Sequence, residues 1–256
     1  MAHNTVTPAI FGLAGARVVP PQDIGLTYKT NLFLWLRGGR DVYVDNGTTP
    51  AVNNDTIYLW KDQSGNGYHA TQTSAGNRPL YKTNIIGAQP VTRYNGTNTK
   101  FDFADIETTN PDIVSFFMVV IPSSTTPIGI WSTDYGAGGR PIRNEPADRW
   151  DVYGEAPSTQ MQLANTNPVL MEFIHTCNGS MKKTLTYYKN GTYVDYHETG
   201  DGAIASDWYG PRLGTINDGY AWYTGDIAEF IIYNEAISNN NRALVELYIR
   251  NKYGIW

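Results

Sequence analysis

Short apolar runs separated by turn residues recur along most of the chain. The clearest are residues 32–36, 56–60, 115–121 and 226–233, each bounded by glycine, proline, asparagine or aspartate. Their lengths are typical of β-strands and too short for helices. Asn190-Gly191 lies between two further runs and favours a type I′ hairpin, because both turn positions need a positive φ. The pattern predicts an all-β chain of antiparallel strands.

One segment at the carboxyl end follows a helical period instead. Its apolar positions are Leu244, Val245, Tyr248 and Ile249. Ser238 precedes them as a candidate N-cap, and Gly254 stands where a left-handed residue ends a helix. We expect a short C-terminal helix whose apolar stripe covers one end of the β-structure.

The first thirty residues differ from the rest. Pro8, Pro20 and Pro21 oppose regular structure there, so residues 1–30 are predicted to form an extended arm. The arm is too apolar for a solvated tail, and we expect it to anchor on its own sandwich or on a neighbouring subunit. The anchoring residues are Ile10, Phe11, Leu13, Val18 and Val19. Residues 31–256 are predicted to form one domain.

The amino-acid composition and net charge limit the classes of structure and partner that are expected. Hydrophobic residues make up 41% and aromatic residues 13% of the chain, whereas only 17% are charged, a balance that favours strands over exposed helices. The net charge is −5 without a basic run, which argues against nucleic acid. We find no secretory signal and no apolar stretch long enough to insert into a membrane, so we expect synthesis and folding in a cytoplasm. Cys177 is the single cysteine, expected to be buried, and excludes an internal disulfide.

Several motifs occur in a recognisable order. Residues 60–70, WKDQSGNGYHA, resemble the W-x-D-x-S-G-N-G-x-x-A signature of the laminin-G-like, concanavalin A-like lectin/glucanase jelly rolls. Residues 87–96, 225–234 and 252–255 are similar to later elements of that family. The resemblance covers residues 31–256 and implies a two-sheet antiparallel β-sandwich. In the loop itself, Asp62 is suited to accept backbone N–H groups and Trp60 to anchor the loop in the core.

The sequence lacks the common catalytic motifs. The glucanase relatives carry paired carboxylates at alternate positions of one strand, and no such pattern occurs. Asp226 and Glu229 are three residues apart, so a regular strand would place them on opposite faces. The serine-nucleophile elbow, the zinc spacings and the phosphate loop are absent as well. We therefore expect no enzyme activity, with a glycoside hydrolase or lyase that uses acids from separate strands as the less favoured alternative.

The sequence contains candidate residues for binding a glycan and a calcium ion. Aromatic rings in polar segments are typical of sugar-binding surfaces, because rings stack on C–H faces and polar groups meet the hydroxyls. The glycan candidates are Trp131, Tyr135, Trp150, Tyr153, Trp208, Tyr220 and Trp222. Family members often hold calcium at a rim loop, and oxygen ligands suit that ion. The calcium candidates are Asp62, Asp134 and Asp226.

An adhesive sandwich with an apolar arm and neither signal nor disulfide is typical of proteins assembled inside a host cell. The preferred hypothesis is a non-catalytic virion structural or adhesion protein, such as a phage decoration, head-fibre or receptor-binding subunit. Its partners would be other virion subunits, bound through the arm, and surface polysaccharide; a homo-oligomer fits the same hypothesis. The alternative is a carbohydrate-binding module or lectin of a secreted bacterial protein, located outside the cell.

Overall fold

The computed structural model describes residues 25–107, 113–123, 128–133, 142–145, 149–152, 167–177, 183–199, 207–216 and 221–256. Within these ranges the chain forms two eight-stranded antiparallel sheets, two short ribbons and one helix, as the sequence pattern predicts. The elements in chain order are β1 (Leu32–Arg37), β2 (Val42–Tyr43), β3 (Leu59–Trp60), β4 (Ala70–Thr71), a 3-10 turn (Ala75–Asn77), β5 (Leu80–Ile86), β6 (Gln89–Asn95), β7 (Phe101–Asp102), β8 (Ile106–Glu107), β9 (Val114–Pro122), β10 (Ile128–Ser132), β11 (Ile142–Glu145), β12 (Arg149–Val152), β13 (Val169–Cys177), β14 (Lys183–Lys189), β15 (Thr192–Thr199), β16 (Asp207–Trp208), β17 (Arg212–Leu213), β18 (Thr215–Ile216), β19 (Ala221–Trp222), β20 (Thr224–Tyr233) and α1 (Asn239–Tyr253).

The two large sheets form the layers of a sandwich. Sheet A has the strand order β15-β14-β13-β9-β20-β6-β5, and β1 also pairs with β20. Sheet B has the order β12-β11-β10-β17-β7-β4-β3-β2. In sheet A, the first part of β20 pairs with β6 and the second part with β1, so two strands share one side of β20. The ribbons are β8 with β16 and β18 with β19.

The main core lies between the sheets. Phe116 and Phe230 of sheet A meet Trp131 of sheet B, and the rings of Trp131 and Phe230 are 5.1 Å apart. Trp60 is fully buried in the same cluster, and its Nε1 donates to the Arg37 carbonyl at 3.0 Å. The expected anchoring of the glycine-rich loop by Trp60 is therefore confirmed.

A second core lies on the outer face of sheet A, beneath α1. Trp35, Phe117 and Ile231 of the sheet pack there with Tyr248 and Ile249 of the helix. The central strands of sheet A are consequently buried on both faces, which explains their almost continuous apolar sequence. The expectation that α1 covers one end of the sandwich is wrong. The helix lies across a sheet face instead, because this apolar face would otherwise be exposed to water.

The local predictions at the hairpin and the helix are confirmed. Asn190 and Gly191 have φ angles of 52° and 73°, as a type I′ turn between β14 and β15 requires. The Ser238 side chain accepts the N–H of Asn241, and Gly254 ends the helix with φ of 63°. Each feature depends on residues only a few positions apart.

The amino-terminal segment enters the described structure beside α1. Leu26 is buried in the outer core, and the Tyr28 hydroxyl donates to Glu235 Oε1 at 2.5 Å. The end of the predicted arm therefore packs on its own sandwich. The predicted anchoring residues lie outside the described residues; they are Ile10, Phe11, Leu13, Val18 and Val19.

Candidate functional site

The outer face of sheet A is not covered completely by α1. The helix reaches β13, where Glu172 and Ile174 are buried, but β14 and β15 continue beyond it to the edge of the sheet. On β15, Tyr193 is 54% exposed and Tyr196 is 52% exposed. These two half-exposed rings therefore stand on one strand at the part of the sheet that α1 leaves uncovered.

Strand register places these tyrosines in an ordered array on the outer face. Tyr188 and Tyr193 lie opposite each other, and Tyr196 lies opposite Thr186. We call Tyr188, Tyr193 and Tyr196 the tyrosine surface. Three rows cross β13, β14 and β15: Glu172–Tyr188–Tyr193, Ile174–Thr186–Tyr196 and Thr176–Thr184–Glu198.

A β-bulge brings the two exposed tyrosines onto one face. Residues three apart in a regular strand point in opposite directions. The register between β14 and β15 shifts after Tyr193, and the extra residue, Val194, turns inward against the main core. Tyr193 and Tyr196 therefore both point outward.

The helix supports the tyrosine surface from one side. The Arg242 guanidinium lies 3.7 Å from the centre of the Tyr188 ring, and Tyr188 meets Tyr193 edge-on with ring centres 5.9 Å apart. A cation over a ring face and an edge-to-face ring pair are both favourable, so Tyr188 is held in place. It then fixes the position of Tyr193.

Arg242 is itself held between two carboxyl groups. Its Nη1 donates to Glu172 Oε2 at 3.4 Å and to Glu246 Oε1. The Gly191 N–H donates to Glu172 Oε1 at 2.9 Å, which ties the hairpin turn to the same cluster. Burial, followed by repulsion from Glu246, raises the pKa of Glu172 to about 8, against the opposing effects of the Gly191 N–H and Arg242.

A second buried carboxylate attaches the other half of the helix. Glu229 is fully buried and accepts hydrogen bonds from Trp35 Nε1 at 2.5 Å, Tyr248 at 2.7 Å and Lys252 at 2.8 Å, and it also contacts the Tyr253 hydroxyl. Burial lowers the pKa of Lys252, while Glu229 opposes that shift. For Tyr248, burial and then Glu229 raise the pKa. The cluster fastens α1 to sheet A.

The expected orientation of Asp226 and Glu229 is wrong, also because of a bulge. The register of β20 against β9 shifts between Ile227 and Glu229, so Ala228 and Glu229 both face α1. Asp226 faces the same side and forms a two-pronged ion pair with Arg93 at 2.7 and 2.8 Å. The two acids therefore share one face, each already engaged with a cation.

Two of the predicted glycan residues belong to the main core. Trp131 is 0% and Trp208 is 2% exposed, and their rings meet edge-on at 6.0 Å. Trp208 also stacks on Phe116 at 5.9 Å. The prediction for these two rings is wrong, because polar neighbours in the sequence do not determine which side chain of a strand faces inward.

The other glycan candidates are placed only in part. Trp222 lies half-buried in β19, opposite Thr215. Trp150 lies in β12, and its side chain is outside the described part of the structure. Three further candidates lie outside the described residues altogether: Tyr135, Tyr153 and Tyr220. The structure does not bring the candidates together at one described surface.

The calcium candidates have other roles where the structure describes them. The Asp62 carboxylate accepts the backbone N–H groups of Trp35, Ser64, Gly67 and Tyr68 at 2.8–3.1 Å, which confirms its predicted role in holding the loop. Asp226 is paired with Arg93, as described above, and Asp134 lies outside the described residues. Among the residues with described positions, no three acidic, histidine or cysteine side chains gather to hold a metal ion.

Two further expectations concern the burial of Cys177 and membrane insertion. Cys177 is half-buried at the end of β13 rather than fully buried. None of the described helices is both long and apolar enough to cross a membrane. The tyrosine surface places two half-exposed rings on the same sheet face as the threonines of β14.

Comparison with solved structures finds similar sandwiches in proteins of several kinds. The receptor-binding domain of botulinum neurotoxin D matches with a TM-score of 0.57 and 12% identity, over 86% of this chain and 53% of that one. An α-L-arabinofuranosidase soaked with 4-nitrophenyl α-L-arabinofuranoside matches with a TM-score of 0.57 and 15% identity, over 88% and 60%. Trypanosoma rangeli sialidase in complex with sialic acid matches with a TM-score of 0.52 and 12% identity, over 87% and 33%.

The likeness shows the fold. The chain is an antiparallel β-sandwich that shares its fold with parts of a toxin receptor-binding domain and of two glycosidases. It spans a third to three-fifths of the length of these structures. No family model and no curated protein matches the chain.

The comparisons also correct the expectation that the chain is not an enzyme. Sandwiches of this shape occur in a sialidase and an arabinofuranosidase, so the absence of a single-strand carboxylate motif does not separate this chain from glycosidases. At 12–15% identity, the similarity supports a glycosidase-type fold only weakly and assigns no activity.

Sequence reasoning missed the tyrosine surface, although a signal was present. The Asn190-Gly191 turn fixes the pairing of Tyr188 with its neighbours across the hairpin. Counting outward from that turn would have placed Tyr188 and Tyr193 on one face. The bulge that adds Tyr196 to this face has no comparably clear marker in the sequence.

Proposed function

We propose that this chain is a carbohydrate-binding receptor-recognition domain and that the tyrosine surface contacts the sugar. The observation that carries this proposal is the pair of half-exposed rings, Tyr193 and Tyr196, on the uncovered outer face of sheet A. Sugars present C–H groups that pack on such rings, whereas their hydroxyls remain free to bond polar neighbours. Similar sandwiches in two glycosidases, one soaked with an arabinofuranoside and one in complex with sialic acid, support a sugar ligand, and the one in a toxin receptor-binding domain supports receptor recognition.

The neighbouring side chains suit a sugar better than a purely apolar partner. Thr184 and Thr186 stand between the buried helix side and the exposed tyrosines, and Glu198 is exposed at the end of β15. The exposed rings therefore share one sheet face with hydroxyl and carboxylate groups. This combination suits the mixed apolar and hydroxylated faces of a pyranose.

The test is binding of the full chain to an array of bacterial and animal glycans. Tyr193→Ala and Tyr196→Ala should each weaken binding about fivefold to tenfold, since each removes one stacking contact on the order of 1 kcal/mol. Tyr209→Ala is the matched control, because Tyr209 is 44% exposed but lies outside the tyrosine surface. Equal losses for all three variants, or unchanged binding for the two β15 variants, would contradict the proposed surface.

The same glycans should be followed for cleavage as well as binding. A reducing-sugar assay on each bound polysaccharide separates a glycosidase from a binding domain within the same experiment. Size-exclusion chromatography of the variants tests whether the tyrosine surface is a dimer interface. If Tyr196→Ala loses a dimer but still binds glycan, the surface serves self-association instead.

We further propose that the domain is displayed on a virion, tethered by the arm of residues 1–30. The support is the apolar pattern of the arm and the fixed position of Leu26 and Tyr28, which gives the tether a defined exit beside α1. Purified particles should contain the chain in stoichiometric amounts, and deletion of residues 1–24 should abolish incorporation while the sandwich still folds. Recovery of the chain only from the culture medium would favour the secreted lectin instead.

A further inference from the structure

We infer that the tyrosine surface binds the interior of an extended polysaccharide chain rather than a terminal sugar. The inference rests on the proposed carbohydrate binding and specifies its ligand. Three features carry it: the separation of the two exposed rings, the openness of the sheet edge and the direction in which the rings are aligned.

The backbone positions of the two exposed rings are farther apart than one sugar unit. Tyr193 lies opposite Tyr188 and Tyr196 lies opposite Thr186, so the two tyrosines are two residues of β14 apart. At the usual strand rise this backbone spacing is roughly 7 Å. Stacking on both rings at this spacing therefore requires at least two linked sugars.

Among the residues that the structure describes, β15 is the edge strand of sheet A. Its two tyrosines are more than half exposed. The threonines beside them have short side chains, and Glu198 lies farther along the same strand. A pocket for a terminal sugar surrounds most of the ligand surface, whereas a flat, open face contacts one side of a longer chain.

The positions of the two exposed tyrosines indicate how a sugar chain would lie on the sheet. Both exposed rings stand on β15, and on the other side of β14 the buried Glu172–Arg242–Glu246 cluster and α1 close the surface. A sugar chain laid across the strands would meet only one exposed ring before Tyr188, which Arg242 of the helix covers. A chain laid along β15 meets both exposed rings, with Thr186 beside Tyr196.

The experiment measures affinity against ligand length. Affinity electrophoresis in soluble β-glucan, xylan, galactomannan, dextran and glycol chitin identifies a polymer that retards the full chain. Calorimetry with oligosaccharides of one to six units from that polymer should then show affinity rising at least tenfold from the monosaccharide to the tetrasaccharide and levelling off after it. Tyr196→Ala should remove most of this length dependence, whereas Tyr209→Ala should preserve it.

The possible failures are distinguishable. Equal affinity for the monosaccharide and the hexasaccharide, with loss in Tyr193→Ala, would overturn the chain-interior inference and leave carbohydrate binding standing. Binding restricted to oligosaccharides with an intact non-reducing end would overturn it in the same way. If neither these polymers nor the glycan array retains the chain, the proposed function fails and the inference fails with it.

Discussion

Glu172 is the group whose ionisation we expect to control how firmly α1 holds the β14–β15 hairpin. Its carboxyl is fully buried between the Gly191 N–H, Arg242 and Glu246, and this setting raises its pKa to about 8. In the unfolded chain the value returns to the ordinary 4.5. The folded state therefore binds a proton that the unfolded state releases between these two values.

The sign of the resulting pH dependence follows from linkage. A raised folded-state pKa contributes stability that is fully present below about pH 4.5 and is lost as the pH rises through about 8. The loss has a maximum slope of about 1.4 kcal/mol per pH unit, because one proton is exchanged. Across the whole window it amounts to at most about 5 kcal/mol, a large share of the stability of an ordinary domain.

Glu172→Gln is the matching perturbation, because glutamine keeps the shape and the hydrogen bonds of a protonated glutamate without titrating. Urea denaturation, followed by tryptophan fluorescence from pH 5 to pH 9, should show the wild type losing stability relative to Glu172→Gln as the pH rises. Glu246→Gln should lower the pKa of Glu172, since it removes the repulsion that is the second cause of the raised value. The pH-dependent loss of stability should then be complete at a lower pH than in the wild type.

Glu198→Gln is the control, because Glu198 lies exposed on the same sheet face. It should leave the pH profile of stability parallel to that of the wild type. Parallel profiles for the wild type and Glu172→Gln would refute the reasoning, because they would mean that Glu172 releases its proton at the same pH in the folded and unfolded states.

Two further substitutions test the packing that supports the site. Lys252→Met should cost about 3–5 kcal/mol in urea denaturation, because it leaves the buried Glu229 carboxylate without its cation; a loss below about 1 kcal/mol would contradict this role of the ion pair. Gly214→Ala should destabilise the chain by more than about 2 kcal/mol, because the new Cβ would lie 2.4 Å from Tyr94 Cε1 at a φ of +102°. Gly65→Ala has a similar φ of +101° but open space, and an equal cost for both would exclude the clash as the cause.

Local features could be predicted from the sequence because their determinants lie close together in the chain. The Asn190-Gly191 turn, the Ser238 cap and the Asp62 loop each depend on hydrogen bonds or φ angles within a few residues. The antiparallel strands followed from short apolar runs with turn residues between them, whereas the two-sheet sandwich was implied by the resemblance to laminin-G-like jelly rolls.

The candidate site depended on contacts that the sequence does not display. Alternation along a strand defines two faces, but a bulge reverses the assignment, as it does before Tyr196 and before Glu229. Whether a ring is exposed also depends on a third layer: α1 covers the outer face over β13 and stops short of β15, whereas Trp131 is enclosed by the opposite sheet. The sequence by itself determined the strands, turns and caps of this protein; the tertiary structure decided which aromatic residues remain available to a ligand, because burial depends on distant segments that pack against each face.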